Sequence, residues 1–163
     1  MPLPSLTITP ATESDIPAIL SFIRALAEFE KLSHRVTATE QQLRQTLFTA
    51  RPYAEILIAR LDKTPVGQAL FFHTYSTFMA RPGLYLEDLF VLPDYRSRGI
   101  GRALLQALAQ VAKDRNCGRL EWSVLDWNTR AISFYEKIGA DILSDWHICR
   151  LDTTAIDNLA RPD

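Results

Sequence analysis

The stretch Leu92–Leu105, LPDYRSRGIGRALL, decides how the chain is read. Three arginines, Arg96, Arg98 and Arg102, surround Gly99-Ile100-Gly101 in a protein whose formal net charge is only −1. Ahead of it lies the apolar run Leu84–Val91, closed by Pro93 and Asp94; behind it Ala103, Leu104, Ala107, Leu108, Val111 and Ala112 recur at helical spacing. A strand, a glycine loop and a helix start together form a cradle for an anion. The first amides of a helix have no internal partner, and the helix dipole adds partial positive charge there. Glycines let oxygens approach the backbone without a Cβ between, and arginines offer forked donors. Gly-x-Gly alone is more often a plain turn with solvated arginines, so both readings stand at this point.

Outward from the loop, the pattern alternates between strands and helices. Leu6–Thr9 reads as a short strand. Ile16, Ile19, Leu20, Ile23, Leu26 and Ala27 mark a helix with Ser14 as its N-cap, and Thr39 caps a second helix through Leu43, Leu47 and Phe48. Glu55–Leu61 and Val66–Tyr75 read as a hairpin about Asp62-Lys63-Thr64. Leu120–Leu125 reads as a strand, and Thr129–Ile138 as a helix ended by Gly139 in the left-handed conformation. Ile142–Leu151 reads as a broken or final strand. The expected fold is mixed α/β (α+β), a twisted sheet of six to seven strands flanked by helices, in a single domain over residues 1–163.

Composition narrows the function classes. Of 163 residues, 47% are hydrophobic and 23% charged, the balance of an ordinary globular protein with a sizeable core. Near-neutral charge argues against nucleic-acid binding, which calls for a basic surplus. No apolar run approaches the roughly 20 residues of a membrane span. The opening Met1–Thr7 lacks the pattern of a signal peptide. Cys117 and Cys149 match no CxxC spacing and read as reduced, buried thiols of a cytoplasmic protein. His34, His73 and His147 share no metal-ligand spacing, so no metal is expected, and no Gly-x-Ser-x-Gly elbow is present.

The common nucleotide motifs fit poorly. A dinucleotide fingerprint needs a third glycine where Leu104 stands, and a P-loop needs Gly-Lys-Ser/Thr. Arg-x-x-Gly-x-Gly over Arg96, Gly99 and Gly101 instead resembles the acetyl-coenzyme A signature of the GNAT superfamily of N-acetyltransferases. LYLEDLFVLPDYRSRGIG (84–101), VLDWNTRAISFYEKIGA (124–140) and LAEFEKL (26–32) are similar to the diamine acetyltransferase family, most of all its thialysine N-acetyltransferase branch. The similarity runs from about residue 6 to 152.

The resemblance implies acetyl transfer from acetyl-coenzyme A directly to the primary amine of a small molecule, with no metal. It places the cosubstrate on Leu89, Phe90 and Val91, on the loop Arg96, Ser97, Arg98, Gly99, Ile100, Gly101 and Arg102, and on Asn128, Thr129, Arg130, Ala131, Tyr135 and Lys137. Phe29, Glu30, Glu87 and Asp88 would meet the amine. Glu87 would bind it and relay its proton, and Tyr135 would serve the departing sulfur. A homodimer is implied too. On the residues alone, Tyr135 fits a core position, Asn128 a helix N-cap, and Glu30 a solvated helix end. Glu87 and Asp88, adjacent on a strand, can share a site only if the strand is bulged. A non-catalytic acyl-coenzyme A sensor and an acetyltransferase acting on a protein amine are the alternatives.

The chemistry sets the demands. A lysine-like amine of pKa about 10.4 is neutral to roughly one part in a thousand near pH 7.4, a penalty of about 4 kcal/mol. Proton transfer from a phenol of pKa about 10 to a thiolate of pKa about 8.5 is uphill by roughly 2 kcal/mol, so Tyr135 would place the sulfur as much as protonate it. The polyamine-selective relatives carry Asp-Pro-Trp before the Leu-Glu-Asp strand; here Ser76-Thr77-Phe78 offers no carboxylate, which favours a lysine-like amine.

Overall fold

The computed structural model describes residues 5–162, so Met1–Pro4, on which part of the leader reading rests, lie outside the described residues. Five strands form one sheet in the order β1 (Leu6–Pro10), β2 (Glu55–Leu61), β3 (Thr64–Ser76), β4 (Arg81–Val91), β5 (Leu120–Trp122). The first four pair antiparallel and β5 joins β4 in parallel. Asp62 (φ 46°) and Lys63 (φ 77°) make the tight β2–β3 turn, two left-handed residues in succession matching the twist of a two-residue hairpin. The chain divides into two compact units, one running to Ser123 and one starting at Val124.

In the first unit, helices α1 (Ile16–Phe29) and α2 (Glu40–Leu47) cover one face of the sheet. Ile16, Ile19, Leu20 and Leu43 pack there on Ile56 and Ile58. Thr39 caps α2 with its hydroxyl on the Gln42 amide (3.2 Å). The start of α1 differs from the sequence reading. A 3-10 turn over Glu13–Asp15 precedes it, and Asp15 rather than Ser14 is its N-cap. Asp15 is already committed: it takes the Thr12 amide (2.8 Å) and forms a half-buried ion pair with Arg60 (2.6 Å).

The opposite face is covered by α3 (Ile100–Asp114), whose Leu104 and Leu108 are fully buried. Arg115, at its end, forks onto Glu55 of β2 at 2.6 and 2.7 Å.

The second unit holds α4 (Thr129–Lys137) and α5 (Thr153–Leu159). Gly139 follows α4 in the left-handed region (φ 92°), as the sequence suggests. The strand expected over Ile142–Leu151 is not formed. Ser144 and Trp146 turn their amides back onto Ile142 and Leu143, so local turns take donors that a ladder needs. The sheet therefore has five strands among the described residues instead of six or seven, and α5 has no counterpart in the sequence reading. Cys149 is exposed and Cys117 half-buried, correcting the expectation of two buried thiols; both are free.

Candidate active site

Strand β4 is bulged where its acids lie. Leu86 pairs with Phe71 and Asp88 with Leu70, leaving Glu87 without a cross-strand partner. The extra residue breaks the period of two. Leu86 stays on the face beneath α3, whereas Asp88 and Phe90 turn to the face beneath α1, where Phe90 meets Phe22 (ring centroids 5.7 Å). The parallel ladder with β5 covers only Leu84–Leu86 and stops at the bulge, which is why β5 ends at Trp122 instead of reaching Leu125.

The bulge gathers three carboxyls. Glu30, the C-cap of α1, and Asp88 both feel the charge of Glu87. Burial, followed by repulsion from Glu87 and then Glu30, pushes the Asp88 carboxyl up to about 6. Burial and then Glu87 raise the Glu30 carboxyl as well. Phe29, beside Glu30, is 41% exposed, so an aromatic edge stands next to the acids. Glu87 is exposed and Asp88 half-buried.

The loop after β4 fits a phosphate group. Ser97 (φ 63°) and Gly99 (φ 79°) are both left-handed, and Gly99 is the N-cap of α3. The Ala103 amide makes the helix's first bond, to the Gly99 carbonyl (2.9 Å), so the amides of Ile100, Gly101 and Arg102 precede the helical ladder. A Cβ added at Gly99 would meet nothing within 4 Å, and one at Gly101 only Val91 Cγ2 at 4.0 Å. The space over the loop is open, and close protein packing does not require either glycine.

The arginines divide. Arg96 donates through Nε to the Val91 carbonyl (2.9 Å), and its guanidinium lies over Phe29 (5.2 Å) and Phe90 (5.7 Å). It ties the loop to β4 and to the end of α1, a linking role the sequence did not suggest. Arg98 stacks over Tyr95 (5.4 Å), and Arg102 is exposed.

The backbone of β4 offers a further edge. Leu92 donates to the Val66 carbonyl (2.9 Å), which sets the phase of the ladder: Phe90 and Asp88 bond toward β3, and the amides of Leu89 and Val91 point to the other edge. In the second unit, Asn128 caps α4, its Oδ1 accepting the Ala131 amide (3.3 Å). Tyr135 is buried on α4 and burial raises its phenol; Thr129, Arg130 and Lys137 are exposed and Ala131 is half-buried.

Residues 21–140 match the model of the acetyltransferase (GNAT) family. The chain belongs to the GNAT acetyltransferase family. This GNAT protein is 40% identical over 164 residues to the thialysine N-epsilon-acetyltransferase of Bos taurus, with 94% of this chain and 96% of that one covered. It is 33% identical over 191 residues to an L-ornithine N5-acetyltransferase of Arabidopsis thaliana, covering 90% and 84%. Among solved structures, an integron cassette protein from the mobile metagenome of V. cholerae superposes with a TM-score of 0.80 at 24% identity, covering 97% and 99% of the two chains, a likeness of fold. The GNAT chain is an acetyl-coenzyme A-dependent N-acetyltransferase. Among the described residues no helix is long and apolar enough to cross a membrane, and no group of three or more His, Cys, Asp or Glu is placed to hold a metal.

Proposed function

We propose that this enzyme acetylates the primary amine of a small, lysine-like molecule, with thialysine the first substrate to try. The observation that carries the reading is the acidic cluster of Glu30, Glu87 and Asp88, in which burial and then the charge of Glu87 raise the Glu30 and Asp88 carboxyls. Three carboxyls beside an exposed aromatic edge suit an alkylammonium, which their charge attracts and the Phe29 ring can flank. Thialysine and ornithine appear in the names of the relatives, and both carry a terminal primary amine.

Acetyl-coenzyme A supplies the thioester. The amides of Ile100, Gly101 and Arg102 and the exposed Arg98 and Arg102 hold its pyrophosphate in this reading. The outward amides of Leu89 and Val91 receive its pantetheine arm as a neighbouring strand would, and one of them faces the developing oxyanion. Glu87 takes the ammonium and passes its proton to water, leaving the neutral amine to attack directly. The family resemblance assigns Asn128, Thr129, Arg130, Ala131 and Lys137 to the cosubstrate's arm and the Tyr135 hydroxyl to the sulfur. Neither cysteine lies in a motif position, which supports direct transfer.

A polyamine would want a further carboxylate at position 76. The Ser76 side chain is buried and its hydroxyl accepts the Met79 amide (3.3 Å), so it closes the β3–β4 turn instead. A single catalytic domain over the chain, homodimerisation and a cytoplasmic location belong to the same reading, supported by the family resemblance. The test is a panel of thialysine, lysine, ornithine, putrescine, spermidine and short peptides with acetyl-coenzyme A, reading thiol release. Thialysine should exceed spermidine in kcat/KM by about fivefold, the factor that corresponds to an ion pair worth about 1 kcal/mol; a preference for spermidine or a peptide overturns the assignment.

A further inference from the structure

Gln68 is an anomaly at the middle of the sheet; the other buried polar atom of β3 without a partner is the hydroxyl of Thr74, nearer the β3–β4 turn. It lies at the centre of β3, is fully buried, and neither its Nε2 nor its Oε1 has a hydrogen-bond partner. Buried amides left unpaired cost free energy, and an apolar residue of the same size would avoid that cost. Val66 and Ala69 nearby show that buried apolar side chains fill this strand readily.

The register says what Gln68 stands beside. It pairs with Ile58 on one side and Phe90 on the other, and so shares the α1 face with Leu70 and with Leu70's partner, Asp88. Gln68 and Asp88 are diagonal neighbours across β3 and β4, a separation of about 7–8 Å between backbones that long side chains span. The charged groups around Asp88 are Glu87 on its own strand, Glu30 at the end of α1, and Arg96 over the Phe90 ring. Between Val66 and Phe72 this face of β3 presents Val66, Gln68, Leu70 and Phe72, of which only Gln68 is polar; Thr74 and Ser76 continue it toward the β3–β4 turn, away from Asp88.

We propose that Gln68 is a positioning residue for Asp88, donating from Nε2 to the carboxylate when the amine substrate is bound. A carboxylate crowded by two others and half-buried needs a neutral donor if it is to stay ionised and aimed at an ammonium. A second carboxylate or a cation in its place would change the charge of the site; a carboxamide does not. A hydrogen bond to the charged form favours it, so Gln68 draws the Asp88 midpoint downward, against the burial and repulsion that push it up. The inference rests on the reading of Asp88 as part of the amine site.

The test uses Gln68→Met, with Gln68→Leu as a second variant of similar bulk should the first fold poorly. The Asp88 carboxyl is followed by carbon-13 NMR titration of the full chain with thialysine and coenzyme A bound, alongside the pH dependence of kcat/KM. The expected result is an Asp88 midpoint raised by half a pH unit or more. The acid limb should move the same way and kcat/KM at pH 6 fall about fivefold, with acetyl-coenzyme A affinity unchanged. An unmoved or lowered midpoint in a folded variant overturns the proposal. Asp88→Asn separates the two layers. If it leaves kcat/KM unchanged, the amine-site reading fails; if it responds while Gln68→Met is silent, only the role of Gln68 fails.

Discussion

Leu86 and Asp88 stand two residues apart on one strand, yet they lie on opposite faces of the sheet because Glu87 between them has no partner. A regular strand would put both side chains beneath α3 and leave Glu87 alone under α1. One inserted residue instead brings Asp88 to the end of α1 and within reach of Glu30.

That arrangement should reduce stability at neutral pH. Asp88's folded-state value, about 6, lies above the ordinary 3.8, so the folded protein holds a proton that the unfolded chain releases. Stability therefore declines as pH rises from about 4 to about 6 and stays lowered above that. Asp88→Asn removes the term: it should gain up to about 3 kcal/mol at pH 7.5 and little at pH 4, in urea unfolding at both pH values. Equal effects at the two pH values would mean that Asp88 ionises freely.

The ion pair at the start of α1 acts with the opposite sign. Burial raises Asp15, but the Thr12 amide and Arg60 outweigh it and hold its carboxyl below 3.8. Its contribution is full above about pH 4 and is lost as pH falls through the lowered value. Arg60→Leu leaves a buried carboxylate unpaired and should cost about 3 kcal/mol at pH 7, less at pH 3. Thermal melts at the two pH values read the difference.

Gly101→Val should weaken acetyl-coenzyme A binding more than tenfold by calorimetry while the protein stays folded, because a Cβ there meets only Val91 at 4.0 Å. Gly99→Ala is a different case. Its φ of 79° is costly for any other residue, so about 1 kcal/mol of stability should be lost as well. Unchanged affinity in Gly101→Val would remove the loop from the cosubstrate site.

Tyr135→Phe keeps the ring and its packing, so the fold and acetyl-coenzyme A affinity should persist while turnover drops about tenfold. Its burial raises the phenol, which keeps the proton on the oxygen at neutral pH. Turnover equal to the parent's from pH 7 to 9 would make Tyr135 a packing residue.

Much of this is legible in the sequence because local chemistry decides it. Thr39 with Gln42, Asp62-Lys63 and Gly139 each set their own turn or cap, and the loop before α3 carries its glycines in plain view. The bulge can only be posed as a condition, since adjacent acids on a strand do not say which way the ladder breaks. The linking role of Arg96 is hidden because its carbonyl partner, Val91, is exposed by the phase of the ladder. Gln68 does leave a signal: a polar residue at an inward-facing position between Val66 and Leu70. Ile142–Leu151 misleads because apolar residues interrupted by Ser144-Asp145 suit local turns as well as a strand.

The most direct test is kcat/KM for thialysine in the parent enzyme and in Glu87→Gln, with acetyl-coenzyme A affinity measured by calorimetry on both. The expected result is thiol release by the parent and a loss of about a hundredfold in kcat/KM for the variant, the loss typical of removing a general base, with cosubstrate affinity unchanged. A variant that acetylates thialysine at the parent's rate contradicts the account, as does a parent enzyme that binds acetyl-coenzyme A and acetylates no small amine.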